Sequence, residues 1–176
     1  MKKAKKDLAV ITISQVTSNL FKRQLNNIFE DKIMIKYFTA KELQGKKIKS
    51  DLILTTKSLI KEKDINDYIF PESELLIAKR SLNISYLEEL IKINDGSRVL
   101  LINDTQLGAY EAKSLLEEVG INNLKLIPYY PGKKDVKNVK IAINLGEERL
   151  IPPYIKEVIN IGSRVIDITT VIEIAV

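Results

Sequence analysis

A chain of 176 residues has room for one ordinary domain or two small lobes, and a composition of 45% hydrophobic and 29% charged residues makes it globular rather than disordered. It contains neither cysteine nor histidine. That excludes disulfides, thiolate metal sites and every Ser-His or Cys-His nucleophile, and leaves only carboxylates, lysine or tyrosine to run an enzyme. The net charge of +5 is local: Lys2, Lys3, Lys5 and Lys6 make a basic tail of residues 1–6, and the 28 basic residues less these four leave 24 against 23 acidic ones.

Along the chain, short runs of Ile, Val and Leu alternate with amphipathic stretches, the pattern of parallel α/β architecture. Leu8 to Ser14 reads as a buried strand, and Gln15 to Phe29 as a helix with Val16, Leu20, Leu25 and Ile28 at helical spacing. Strands are expected at Lys32 to Thr39 and Asp51 to Lys57, a helix at Ser58 to Ile69, a strand at Glu74 to Arg80, and a helix from about Asn83 to Ile93. After the turn Asp95-Gly96-Ser97 the order begins again. It runs strand Arg98 to Asp104, helix Thr105 to Val119 closed by Gly120, and strands Leu124 to Tyr130 and Val139 to Gly146. Pro152-Pro153 reads as the first turn of a helix reaching Ile161, Arg164 to Ile168 as the last strand, and the final residues as the start of another helix.

The strand starts of the two halves are separated by about 90 residues each time, so the order strand-helix-strand-strand-helix-strand occurs twice. The expected fold class is therefore α/β: two Rossmann-like three-layer lobes with mostly parallel sheets. The first lobe spans 7–80 and the second 97–168, with a connecting helix and turn at 81–96 and the start of a linker helix at 169–176. A lobe of this size is marginal alone, so the two are expected to pack together.

Leu8 to Ser14 follows lysines as a signal peptide would, but is too short and polar for one, and no run approaches the 18 or so apolar residues of a membrane span. A cytoplasmic protein with no membrane contact is expected. The basic tail, with Lys41, Lys46, Lys47 and Lys49, lacks the interleaved aromatics of a nucleic-acid stacking surface.

Open parallel sheets bind ligands beyond the carboxyl ends of their strands. In the first half those ends carry Thr12, Ser14, Gln15, Thr55, Thr56, Lys57, Lys79 and Arg80. In the second they carry Asn103, Asp104, Thr105, Tyr129, Tyr130, Asn144, Gly146, Glu147 and Asp167. Each is a candidate ligand contact, and each Ser, Thr, Asn or Asp is equally a natural helix cap or turn residue. Tyr129 and Tyr130 should point to opposite faces, one toward a cleft or packed under a helix. Gly146 would let the backbone approach a ligand closely. Lys57, Lys79 and Arg80 set against Asp104, Glu147 and Asp167 suggest one basic and one acidic wall, fit for a small organic acid or amino-acid-like effector. The alternative is that these opposed charges pair across a closed cleft as a latch, which needs no ligand.

There is no G-x-G-x-x-G, no G-x-x-x-x-G-K-[ST], and no acidic pair after the first strand, so dinucleotide, P-loop and phosphoacceptor readings fail. No cofactor, no metal and no catalytic residue is expected. Three segments of the second half instead carry a resemblance: Leu126-Ile127-Pro128-Tyr129-Tyr130-Pro131-Gly132, Ile141-Ala142-Ile143-Asn144-Leu145-Gly146-Glu147, and Ile161-Gly162-Ser163-Arg164-Val165-Ile166-Asp167 running on to Ala175. They resemble the N-terminal sensory domain of enhancer-binding transcription activators that work with the nitrogen-type alternative sigma factor. The resemblance is tight from about Val99 and loose before it, where it rests on element order and Ala78-Lys79-Arg80. The chain has Ser163 where that family commonly has proline, and Asn144-Leu145 where it has Thr-Pro.

The resemblance implies a sensor of a small-molecule effector, similar in plan to the propionate-regulator sensory domain and so periplasmic-binding-protein-like, that signals by ligand-dependent lobe closure. It also implies a homodimer. Contacts to DNA, ATP and RNA polymerase would belong to other modules of a full-length regulator, of which this chain would be an excised or truncated part. The competing expectations are an interaction module with a vestigial cleft, and a carboxylate enzyme using Asp104, Glu147 or Asp167.

Overall fold

Strand β1 (Asp7–Thr12) is apolar on both faces: Leu8 and Val10 point one way, Ala9 and Ile11 the other, and all four are buried. A strand of that kind needs cover on both sides, which a parallel sheet with flanking layers provides. In a computed structural model, which describes residues 7–83, 87–134 and 136–176, β1 pairs in parallel with β2 (Met34–Thr39) and β3 (Leu52–Thr55). β3 pairs in turn with β4 (Glu74–Ile77), so the sheet order is β2-β1-β3-β4. The register sets Val10 beside Tyr37 and Leu54, and Ile11 beside Phe38 and Thr55.

Helix α1 (Gln15–Phe29) starts at Ser14, whose side chain accepts from the Thr17 amide. Its buried residues Phe21, Leu25 and Phe29 recur every four positions and lie on Leu8, Val10, Leu52 and Leu54. The opposite face, with Ala9, Ile11 and Ile53, is covered by Leu43, Ile69 and Leu59 of helix α2 (Lys57–Glu62). A short 3-10 turn at Ile65–Asp67 follows. The region expected as one helix from Ser58 to Ile69 is thus two shorter pieces.

The second sheet repeats the first. Strands β6 (Arg98–Ile102), β7 (Lys125–Tyr129), β8 (Ile141–Asn144) and β9 (Glu157–Asn160) pair in parallel in the order β7-β6-β8-β9. Val99 and Leu101 face Ala112 and Leu116 of helix α4 (Gln106–Glu118), with Ile93 and Leu90 of helix α3 (Leu87–Ile91) in the same cluster. Leu100, Ile102 and Ala142 face the other way, toward Val139, Ile151, Tyr154 and Ile155. Each sheet therefore has a covering layer on both faces, and the repeated element order corresponds to a repeated strand order.

The chain divides into two compact units, the first made of residues up to Arg80 together with Val165–Val176, the second of Ser81–Arg164. These limits differ from those expected. Residues 81–96, read as a connector, belong to the second unit, where Leu82, Leu90 and Ile93 enter its core. Residues 165–176 belong to the first, where Ile166 and Val171 and Ile174 of helix α5 (Ile168–Ala175) join the core beside α1. A two-stranded sheet pairs β5 (Arg80–Ser81) with β10 (Val165–Ile166).

Two expected elements are corrected. The helix from Pro152 to Ile161 does not form: a turn is followed by β9, whose Ile159 is buried in the second core. The strand expected at Arg164 to Ile168 is only the two residues of β10, and it is not the fourth strand of the second sheet. The basic tail and the beginning of the helix expected from Asn83 lie outside the described residues. Among the described residues no helix is long and apolar enough to cross a membrane.

Candidate functional site

In sheets of this order the strand connections reverse direction beside the central strand, and the crevice at the carboxyl ends there is where ligands sit. That position lies between β1 and β3 in the first unit and between β6 and β8 in the second.

In the first unit the strand ends are largely occupied by the fold itself. The Thr12 hydroxyl is buried and donates to the Ser14 carbonyl at 3.0 Å, and the Thr55 hydroxyl donates to the Ile11 carbonyl at 2.9 Å. Ser14 and Thr56 cap α1 and α2, accepting from the amides of Thr17 and Leu59. Gln15 donates to Asn19 along α1, and Lys57 is the first residue of α2. Capping thus accounts for Ser14 and Thr56, and backbone carbonyls for Thr12 and Thr55.

Three charged candidates are placed otherwise than expected. Lys79 reaches Glu173 of α5 at 3.4 Å, and its backbone amide donates to the Thr170 hydroxyl. Arg80 lies over the Phe21 ring, 5.8 Å from its centroid. Asp167, read as the end of a second-lobe strand, belongs to the first unit: it caps α5 by accepting from the Thr169 amide, and its own amide donates to the Lys79 carbonyl.

The second unit is different. Asn103, which follows β6, is only 7% exposed. No hydrogen bond involves its side-chain amide among the described residues. Its Oδ1 lies against the first turn of α4, so near to Gly108 that a Cβ there would overlap Asn103 and Thr105. Thr105 caps α4, accepting from the Gly108 amide at 3.0 Å. The first N–H groups of a helix have no carbonyl partner within it and carry its positive end.

Across the crevice, Asn144 at the end of β8 is buried. It donates to Asn160 at 2.7 Å and accepts from the Glu147 amide at 2.9 Å. This fixes the turn that carries Glu147, whose side chain is 16% exposed and has Arg149 at 3.6 Å. Burial, and next the charge of Asp104, push the Glu147 carboxyl above the ordinary range, against the opposing pull of Arg149. Asp104 itself is exposed, and among the described residues no ion pair engages it. Gly146 has φ +91°, and a Cβ there would stand 2.5 Å from the Ser163 hydroxyl, so the turn needs glycine for both conformation and space. Tyr129 packs partly buried in the core beside Ile102, while Tyr130 carries Lys133 5.6 Å from its ring centroid.

Asn160, Ser163, Arg149 and Gly108 were not among the expected site residues. Gly108 had a usable signal: glycine in the first turns of a helix sacrifices stability to alanine unless something lies against it. Asn160 has none, because Pro152-Pro153 gives the segment before it the pattern of a helix start. On the outer face of α1, a shallow depression lined by Asn19, Lys22, Arg23, Asn26 and Asn27 also carries no sequence signal. The described residues hold no group of three or more acidic side chains able to bind a metal ion.

Compared with known proteins, the chain matches no protein-family model, no curated protein and no solved structure.

Proposed function

We propose that this chain is a sensory domain that binds a small-molecule effector at the carboxyl edge of its second sheet, as its resemblance to the sensors of enhancer-binding activators implies. The observation that carries the reading is the contrast between the two crevices. Thr12 and Thr55 in the first unit satisfy their hydroxyls internally, whereas the side chain of Asn103 in the second, a residue only 7% exposed, makes no hydrogen bond among the described residues. A side-chain amide at the carboxyl edge that no protein group engages is available to a ligand. In this reading the two units work in the manner of a periplasmic binding protein, and the effector shifts an existing equilibrium between conformations by binding one of them better. No reaction is catalysed. Any contact with DNA, ATP or RNA polymerase belongs to other modules of a full-length regulator in the cytoplasm.

The test is a thermal-shift screen of the chain against organic acids, hydroxy acids, amino acids and sugars. A true effector at 100 times its Kd stabilises by roughly 2.7 kcal/mol, which in a chain of this size raises Tm by about 5–10 °C. A screen in which no compound produces a saturable shift would overturn the proposal.

The second reading, an interaction module, is favoured by α5. Its inner residues Val171 and Ile174 are buried, but Ile168, Ile172 and Val176 form an exposed apolar stripe at a spacing of four. Light scattering decides it: a stable homodimer that Ile172→Lys converts to monomer would support this reading, and a monomer at high concentration would remove it.

A further inference from the structure

Resting on the sensory reading, we infer that the effector is an α-amino-acid-like zwitterion, its carboxylate held by Asn103 and the N-terminal turn of α4 and its ammonium by Asp104 and Glu147. The two halves of such a ligand carry opposite charges a few ångströms apart, and the site does the same over consecutive residues. Asn103 is nine-tenths buried, has no partner among the described residues and lies against the first turn of α4. Its amide N–H groups add donors to those of a helix end that favours an anion. Asp104 comes next in the chain, and because β6 and β8 are paired with Ile102 beside Asn144, Asp104 and Glu147 leave adjacent strand ends two and three residues beyond that pair. Arg149 stands on the Glu147 side of that pair at 3.6 Å, and a cation beside Asp104 would balance the remaining charge. Lys79 and Asp167 are engaged with α5, so the carboxylate is assigned to the helix end and not to the first unit's lysines.

The experiment is isothermal titration of the whole chain with each of the common α-amino acids, with the matching deaminated carboxylic acids, and with the matching decarboxylated amines. One or more amino acids should bind, and the two truncated series should bind at least tenfold more weakly. Glu147→Gln and Asn103→Leu should each weaken the amino acid at least fivefold. Glu147 is a partly exposed turn residue, so its variant keeps the fold even if the buried Asn103 variant does not. Equal affinity for an amino acid and its deaminated acid would overturn the ligand class, as would unchanged affinity in Glu147→Gln. A hydroxy acid or sugar that binds when no amino acid does would sink this inference and leave the sensory reading standing; silence from every compound would sink both.

Discussion

Gly108 sits in a helix where alanine would ordinarily add about 1 kcal/mol of stability. The space its side chain would need is taken by Asn103 and Thr105. Overpacking of this sort typically costs about 1–3 kcal/mol, so Gly108→Ala should destabilise the chain by about 1 kcal/mol net despite the better helix former. The overlap with Asn103 makes a sharper claim. In an Asn103→Ala background the same change should cost less, with a coupling of at least about 0.5 kcal/mol in urea unfolding. Strict additivity would mean that Asn103 does not lie against α4, and the placement of the buried amide would be wrong. Sequence reading reached Asn103 as a strand-end residue but could not separate it from Thr12, because both are small polar residues at the same point of the repeat. What distinguishes them is whether a carbonyl lies within reach, as the Ser14 carbonyl does for Thr12.

Elements were legible in proportion to how much their own periodicity decided. Helix α1 has the expected bounds, Gln15–Phe29, and Ser14 caps it, but its buried stripe is Phe21, Leu25 and Phe29; of the spacing Val16, Leu20, Leu25 and Ile28 only Leu25 is buried, and Val16 and Ile28 are exposed. Strands β1 and β6 were legible as continuous apolar runs. The failure came at Pro152 to Asn160, where two prolines read as a helix start. Glu157-Val158-Ile159-Asn160 has too few residues to show a period, and its partner β8 lies outside any local window. Likewise Val165-Ile166 has a strand's composition, but the sequence does not say that its partner is β5. The contact between β2 and α1 supports a prediction at this scale. Tyr37 of β2 donates to Asn26 of α1 at 2.8 Å, and burial pushes its phenol up to about 12. A phenol that ionises later in the folded chain than in the unfolded one contributes stability fully present below about pH 10, the ordinary tyrosine value. That stability is lost as pH rises from there through 12. Absorbance titration should therefore show one tyrosine ionising about two pH units after the exposed ones, and Tyr37→Phe should remove that late step and flatten the alkaline loss of stability. A Tyr37 that ionises with the others would contradict the burial of β2 against α1.

At the scale of the molecule, the repeat would suggest two successive lobes, each closed upon its own stretch of chain. The first unit is not built that way, since it takes Val165–Val176 from the far end. That segment supplies Ile166, Val171 and Ile174 to the core beside Phe21 and Leu25. It also supplies the Ile166 amide and carbonyl that hold Gln24 at 2.7 and 2.8 Å, and the Thr170 hydroxyl that accepts from Lys79. Burying each of the three apolar side chains contributes roughly 1.5–3 kcal/mol, a sum comparable to the whole stability of an ordinary domain, about 5–15 kcal/mol. The second unit draws its core only from residues 82–161. A chain ending at Arg164 should therefore lose cooperative protection in β1 to β4 while keeping it in β6 to β9. Amide hydrogen exchange reads the two sets separately. Supplying residues 165–176 as a peptide at high concentration should return protection to β1 and β3 first, since their apolar side chains lie in the cluster that the segment completes. If the shortened chain keeps β1 to β4 protected as in the full one, the discontinuous unit is wrong and the first lobe closes at Arg80 on its own.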